Sequence, residues 1–260
     1  MPDGSALIVG TIQTQSPTQA VALKFNGQIF TEILRQSGGL ARSAWTPNGS
    51  YALILAQSSA FAQSGFTDGF AKFDGVTFSK FTNTIGIYEI SASWKPDGSY
   101  ALVVGQNGTV AKLEDGSLRI LTSGEYGYFQ SVAWKPDGSY ALLVGEHGTV
   151  LKFDGRNLTR IPTGVDAPFL WVSWRPDGSS ALIYGYGTRI YTPSNTKGLG
   201  GIVLKFDGDN FTWFLSTREE PSFWPYFGVA AVGVATGLSI ILFVIIKKRR
   251  PTVPDLIPTT

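Results

Sequence analysis

Short apolar runs alternate with Pro-Asp-Gly and Asp-Gly turns along most of the chain, and the runs return at a nearly fixed spacing. The clearest copy is Trp134-Lys-Pro-Asp-Gly-Ser-Tyr-Ala-Leu-Leu-Val-Gly145. It recurs as Trp94 to Gly105, as Trp174 to Gly185 and as Trp45 to Ala56, and a headless copy, Pro2 to Gly10, opens the sequence. The prolines Pro2, Pro47, Pro96, Pro136 and Pro176 stand 45, 49, 40 and 40 residues apart. A second element follows each one: Lys24-Phe-Asn-Gly27, Lys72-Phe-Asp-Gly75, Lys112-Leu-Glu-Asp-Gly116, Lys152-Phe-Asp-Gly155 and Lys205-Phe-Asp-Gly208.

Each unit predicts four short strands. In the fourth unit they run Gln130–Trp134, Tyr140–Gly145, Thr149–Phe153 and Leu158–Ile161, designated A to D. Pro-Asp-Gly joins A to B, and Asp-Gly joins C to D. Glycine accepts the positive φ of a tight hairpin turn, while proline fixes its own φ and withholds an N–H from the neighbouring strand. Strand A carries small residues ahead of its tryptophan: Ser43-Ala44, Ala92-Ser93, Val132-Ala133 and Val172-Ser173. Small side chains suit an innermost strand, where sheets converge on an axis. Four-stranded units at this period predict an all-β fold, a β-propeller of about five four-stranded blades over residues 1–216.

Trp-x-Pro-Asp-Gly-Ser followed by an apolar strand resembles the TolB-type and WD-repeat propeller motifs. Gly-Thr-Val-x-Lys-Phe-Asp-Gly is similar to blades of the photosystem-assembly-factor and BNR-like propellers. The resemblance covers about residues 1–216 and implies the fold. It implies no single activity, because such blades serve binding, assembly and catalysis. The Trp-Asp dipeptide and Gly-His signature of true WD repeats are absent, which favours the TolB-like label. Five B, C and D strands are matched by only four A strands, so the first blade lacks its innermost strand. Residues 1–20 also show no basic start and no apolar core of a secretory signal. One cause would explain both: the expectation is a sequence that begins inside a longer reading frame.

Beyond the blades the pattern changes. Pro225–Ile246 is 22 residues without a charge, enough to cross roughly 30 Å of hydrocarbon as one transmembrane α-helix. Trp224 and Tyr226, with Phe223 and Phe227, form an aromatic belt at one end, and Lys247, Lys248, Arg249 and Arg250 close the other. One basic residue precedes the segment in Arg218-Glu219-Glu220 and four follow it, so the positive-inside rule places the propeller outside and the C-terminus in the cytoplasm. The predicted organisation is a propeller over 1–216, a juxtamembrane linker over 217–224, the span over 225–246 and a basic, Pro-rich cytoplasmic tail over 247–260. Asn48, Asn107, Asn157 and Asn210 head N-x-Ser/Thr sequons, candidate glycosylation sites that fit an extracytoplasmic domain. Gly233 and Gly237 match the small-xxx-small pattern of closely packed helices and allow self-association.

Composition narrows the chemistry. The absence of Cys removes disulfides, thiol nucleophiles and cysteine-ligated metals, and a lone His147 removes a histidine cluster. Net charge is +2; without the four basic tail residues and Asp255, 17 basic side chains face 18 acidic ones, which gives no reason to expect nucleic acid. No Gly-x-Ser-x-Gly elbow or phosphate-cradling loop occurs. Asp3, Asp97, Asp137 and Asp177 recur identically, as do Asp74, Asp154 and Asp207. A catalytic carboxylate would be singular; repetition in every blade points to turns, with the side chain bonding nearby backbone N–H groups. Each turn offers one carboxylate, too few for a calcium loop. The expectation is therefore no catalytic residue, no metal and no cofactor. His147 reads as a solvated turn residue and the strand-A tryptophans as inter-blade core, while Trp171, on the opposite face from Trp174, is a weaker core candidate.

Loops carry the remaining signal. The distance from the last apolar residue of B to the Lys of C is eight positions in blades three and four, but 15, 17 and 21 in blades one, two and five. In an antiparallel blade the B–C and D–A loops share one face. The candidate interaction face comprises Phe61, Phe66, Tyr88, Tyr126, Tyr128, Phe129, Phe169, Trp171, Tyr186 and Tyr191. Residues 216–223 tether that face to the span and reach at most roughly 26–29 Å, which turns it toward the bilayer or a membrane partner. The expected role is a membrane-anchored, single-pass, non-catalytic scaffold for protein binding or complex assembly. A carbohydrate or cell-wall binder is the alternative, and a propeller lyase or glycosidase a more distant one.

Overall fold

Alternation of apolar and polar positions between tight turns folds into five antiparallel sheets. The computed structural model describes residues 3–12, 19–37, 39–57, 70–80, 89–122, 127–187, 200–215, 230–234 and 238–242. Blade one holds β1 (Ala6–Ile12), β2 (Gln19–Phe25) and β3 (Phe30–Ser37). Blade two holds β4 (Gly39–Trp45), β5 (Ala52–Gln57), β6 (Phe70–Phe73) and β7 (Phe78–Lys80). Blade three holds β8 (Glu89–Trp94), β9 (Ala101–Gly105), β10 (Val110–Glu114) and β11 (Ser117–Thr122). Blade four holds β12 (Phe129–Trp134), β13 (Ala141–Gly145), β14 (Val150–Phe153) and β15 (Leu158–Arg160). Blade five holds β16 (Phe169–Trp174), β17 (Ala181–Gly187), β18 (Gly200–Phe206) and β19 (Phe211–Leu215). Strands follow chain order within each blade, and β4, β8, β12 and β16 neighbour one another in turn as the inner strands. Strands B and C of blade four each begin one residue later than the sequence predicts. Tyr140 and Thr149 sit instead in turns, their carbonyls accepting from Lys135 N–H at 2.9 Å and Gly145 N–H at 3.1 Å.

The repeated residues form one interlocking contact. Trp134 is met edge-on by Phe153 of its own blade at 6.1 Å and by Tyr100 of the preceding blade at 5.5 Å. Trp174 stands likewise between Phe206 at 6.4 Å and Tyr140 at 5.4 Å. The C-strand lysines lie over the same tyrosines: Lys72 over Tyr51 at 4.5 Å, Lys112 over Tyr100 and Lys152 over Tyr140, both at 4.2 Å. Each conserved position of the repeat thus touches another, within the blade or across to the next. Edge-to-face and cation–π pairs of this kind each contribute about 0.5–1.5 kcal/mol beyond the area they bury.

Buried clusters fill the gaps between blades one and two, two and three, three and four, and four and five. In blade four all of Ala141–Val144 is fully buried, whereas in blade five Leu182, Tyr184 and Tyr186 alternate outward, 47%, 37% and 48% exposed. That face has no following blade against it among the described clusters. Ser180 stands there, directly before strand B, where blades two, three and four carry Tyr51, Tyr100 and Tyr140 and blade one carries Ser5.

Blade one shows the largest departure from the repeat. Among the described residues no A strand precedes β1, and β20 (Ala230–Val234), paired with β21 (Leu238–Leu242), lies along that edge. A single residue pair, Leu7 with Gly233, makes that junction, against seven pairs between β1 and β2. The sequence predicts a helix over Pro225–Ile246; its described residues are instead this hairpin, because an open sheet edge offers unpaired backbone groups that an apolar strand can satisfy. The rest of that segment, with Trp224, Lys247, Lys248, Arg249 and Arg250, lies outside the described residues. No helix among the described residues is long and apolar enough to cross a membrane.

The glycine that closes strand B answers to the inner strand. The A–B register shifts between Phe129 and Ser131, and between Phe169 and Trp171, bulging the A strand toward that glycine. A Cβ at Gly145 would stand 2.2 Å from the carbonyl oxygen of Tyr128, and one at Gly185 2.4 Å from that of Pro168. Gly10, at the same place in blade one, meets nothing within 4 Å. Gly145→Ala and Gly185→Ala should each cost about 1–3 kcal/mol in chemical denaturation of the full chain, while Gly10→Ala changes stability by less than about 0.5 kcal/mol.

Candidate functional site

An inner strand exposes one row of backbone groups to the ring centre, since only its other edge pairs with strand B. The small residues of the sequence pattern meet this need. The N–H of Val132 donates to Ser91 Oγ at 3.4 Å, that of Trp134 to Ser93 Oγ at 3.3 Å, and that of Val172 to Ser131 Oγ at 3.4 Å. Each serine belongs to the preceding blade. Smallness allows the strands to converge, and the hydroxyl supplies the acceptor that the edge lacks.

Three residues before the tryptophan, where blades three and four carry Ser91 and Ser131, blade two carries Arg42 and blade five Trp171. The Arg42 guanidinium reaches across the centre. Its Nη1 donates to Ser131 Oγ and its Nη2 to the Leu170 carbonyl, both at 3.3 Å, and its carbon lies 4.3 Å from the centre of the Trp171 ring. Burial pulls its pKa down to about 10, so it remains charged at neutral pH. Arg42 is not among the residues expected at a site from the sequence. Its signal was available: it is the charged residue at a position that otherwise carries serine or an aromatic.

Exposed aromatics lie at both ends of the blades: Phe30, 59% exposed, follows the C–D turn of blade one, and two tyrosines lie at the loop end. Tyr128 precedes β12 and Tyr186 lies near the end of β17, 37% and 48% exposed. Glu146 ties the B–C turn of blade four to the D–A connection beside it: its N–H donates to the Tyr128 carbonyl at 3.1 Å and its Oε2 accepts from Tyr128 N–H at 3.3 Å. Next to it, Gly148 N–H donates to the Ala167 carbonyl at 2.8 Å and Thr163 Oγ1 to the Gly148 carbonyl at 3.0 Å. A groove of about 440 Å³ opens there between Arg160 and Asp166. His147 is exposed at φ 53, its Nδ1 lying 3.3 Å from Asp166 Oδ1.

Two residues assigned to the interaction face from the sequence are corrected. Phe129 and Phe169 are fully buried in the clusters between blades three and four and between four and five. The bulge that follows each one turns its ring into the gap between blades. Trp171 is withdrawn from the face as well, beneath Arg42 with its Nε1 buried. Phe61, Phe66, Tyr88, Tyr126 and Tyr191 lie outside the described residues.

On the opposite face the repeated carboxylates are engaged in their own turns. Asp97 Oδ1 accepts from the N–H of Ser99 at 2.9 Å and from its hydroxyl at 2.6 Å, while Lys95 Nζ bonds its other oxygen. Asp137 repeats this with Ser139 and Lys135, Asp177 with Ser179 and Arg175, and Asp3 with Ser5 and Lys24. Asp74, Asp154 and Asp207 each accept from two backbone N–H groups in the C–D turns. Lysine hydrogen bonds, followed by those of serine, hold the Asp3, Asp97 and Asp137 carboxyls well below the ordinary carboxylate range. All four sequon asparagines are exposed: Asn48, Asn157 and Asn210 on this turn face and Asn107 on the loop face. Among the described residues, no group of three or more acidic or histidine side chains is arranged to hold a metal.

No family model matches the chain, and no curated protein matches it. Solved structures do. TolB from Acinetobacter baumannii superposes with a TM-score of 0.59 at 15% identity, over 90% of this chain and 62% of that one. The periplasmic gluconolactonase PpgL of Pseudomonas aeruginosa superposes with a TM-score of 0.55 at 16% identity, over 88% of this chain and 71% of that one. The chain therefore spans 62% of the TolB chain's length. At these identities the likeness establishes the fold, a TolB-like β-propeller.

Depressed carboxyl pKa values stabilise the fold above the ordinary carboxylate range, and that contribution is lost as pH falls through it toward the depressed values. Thermal melts from about pH 5 down to about pH 2 should show a declining Tm. The decline should be shallower in the Asp97→Asn, Asp137→Asn double variant, whose turns retain an acceptor oxygen but no longer titrate.

Proposed function

We propose that this chain is a membrane-anchored, extracytoplasmic propeller that serves as a non-catalytic scaffold for a protein partner in or near the membrane. The observation that carries the reading is Tyr128, exposed beside the B–C turn of blade four, with Tyr186 exposed on the outward side of blade five near the loop end of β17. The chain leaves the propeller by that same end: Leu215, the last residue of β19, pairs with Ile202, close to where β18 begins at the B–C loop. Function gathers on irregular loops held by a rigid scaffold. Three of the four sequons point to the other face, so glycans there would leave the loop face uncovered.

The anchor rests on the 22 uncharged residues Pro225–Ile246 and the four basic residues behind them. In hydrocarbon a helix satisfies its own backbone, whereas a two-stranded hairpin leaves an unpaired edge on each side. The hairpin at β1 is held to the sheet by one residue pair, a weak competitor for insertion of the whole segment. Gly233 and Gly237 would then lie on one side of the helix, available for self-association. The gluconolactonase neighbour is named periplasmic, in line with an extracytoplasmic setting for this propeller.

Photo-crosslinkers placed at Tyr128 and Tyr186 in intact membranes should capture a common partner, and one at Val76, on the C–D turn face, should not. Tyr128→Ala combined with Tyr186→Ala should lower the yield from a crosslinker at a neighbouring loop position several-fold. Equal capture from Val76, or no adduct from either tyrosine, would overturn the scaffold reading. Protease added to whole cells should digest the propeller and spare an epitope on the tail; a protected propeller would overturn its orientation.

A further inference from the structure

The ring centre contains a charge that the scaffold role does not use. Ser91 and Ser131 each accept a hydrogen bond from the next blade's free backbone edge. Arg42, at the equivalent position, can only donate, so blade two presents a cation where its neighbours present an acceptor. Both of its partners are neutral and at 3.3 Å, engaging two of the five guanidinium N–H groups. None of the ion pairs among the described residues includes it.

A second unspent donor lies beside it. Trp171 Nε1 is buried without a partner. Trp45, Trp94 and Trp134 share that condition within the inter-blade core, where the equivalent indole of Trp174 reaches the Ala133 carbonyl at 3.3 Å. Trp171 is differently placed: its ring lies against the Arg42 guanidinium, 4.3 Å from centre to carbon. Among the described residues, three guanidinium N–H groups of Arg42 are left without an acceptor, and a cationic donor set calls for a negatively charged one, since a buried polar group left unpaired costs about 1–3 kcal/mol. Arg42 is of intermediate burial, neither sealed in the core nor fully exposed.

We propose that the ring centre binds a carboxylate, gripped by the Arg42 guanidinium above the Trp171 ring. Stacking covers one face of the guanidinium and leaves its edge available, and an edge-on fork matches a planar carboxylate through two parallel hydrogen bonds. Charge favours the same class. A monoanion neutralises the single cation, whereas a phosphate dianion would bring surplus negative charge into a partly desolvated site. This site is independent of the loop-face partner.

The test follows the Trp171 indole N–H resonance of the full chain in detergent micelles, assigned by its loss in Trp171→Phe, during titration with acetate at constant ionic strength against chloride. Acetate should shift that resonance saturably and raise Tm. Arg42→Lys, which keeps the charge but loses the fork, should weaken binding several-fold, and Arg42→Gln should abolish it. A non-saturating response, an equal response to chloride, or an unchanged affinity in the lysine variant would overturn the proposal. Tighter binding of inorganic phosphate than of acetate would overturn the assigned class. If the glutamine variant does not fold, the lysine variant and the acetate–chloride comparison on the parent chain decide the question.

Discussion

Blades three, four and five are fastened in turn by a tryptophan gripped from two sides by aromatic rings. Trp134 cannot reach Phe153 and Tyr100 together unless two successive sheets are stacked at the right offset, and Trp174 imposes the same condition one blade later. The lysine across each tyrosine then fixes the C strand against the A–B turn. Sheet spacing, the order of inner strands and the converging edges at the ring centre all follow from that contact. The contact varies along the series: blade five carries Ser180 in place of the tyrosine and turns its alternate apolar residues outward, while blade one, with Ser5 at that position, still packs on blade two.

The inner strands show why small residues serve two purposes. Their side chains must be small for five sheets to approach an axis, and their hydroxyls must accept from the unpaired N–H groups of the following blade. Arg42 and Trp171 each break both conditions. The two occur together, stacked, at the ring centre. A local violation of the repeat is therefore concentrated at one spot, where function rather than packing can account for it.

Much of the architecture was legible in the sequence because its causes are local. Asp-Gly and Pro-Asp-Gly turns bond within three residues, so Asp97 and Asp154 reveal their role in any single copy. Periodicity identified the sheets and the count of A strands exposed the deficit in blade one. What escaped depends on contacts between distant residues. Ser91 reads as merely small until Val132, 41 positions later, donates to it. Phe129 and Phe169 read as loop aromatics because the bulges beside them, which turn both rings inward, leave no mark in the residue pattern. Arg42 was overlooked because its partners, Ser131 and Leu170, are 89 and 128 positions away. The apolar C-terminal segment carries two competing signals, length enough for a bilayer and an open sheet edge within reach, and the residue pattern weighs only the first.

Apart from Arg42, which reaches blades four and five, the buried contacts run between successive blades, and this has a kinetic side. Four buried clusters link five blades in chain order, and among the described residues none joins the last blade to the first. A molecule coupled in this way behaves as a one-dimensional array, in which loss of one interface leaves the rest intact and opening starts at the termini of the series. Blades two, three and four, each flanked on both sides, should be the last to exchange their amide protons, and blades one and five the first to fray.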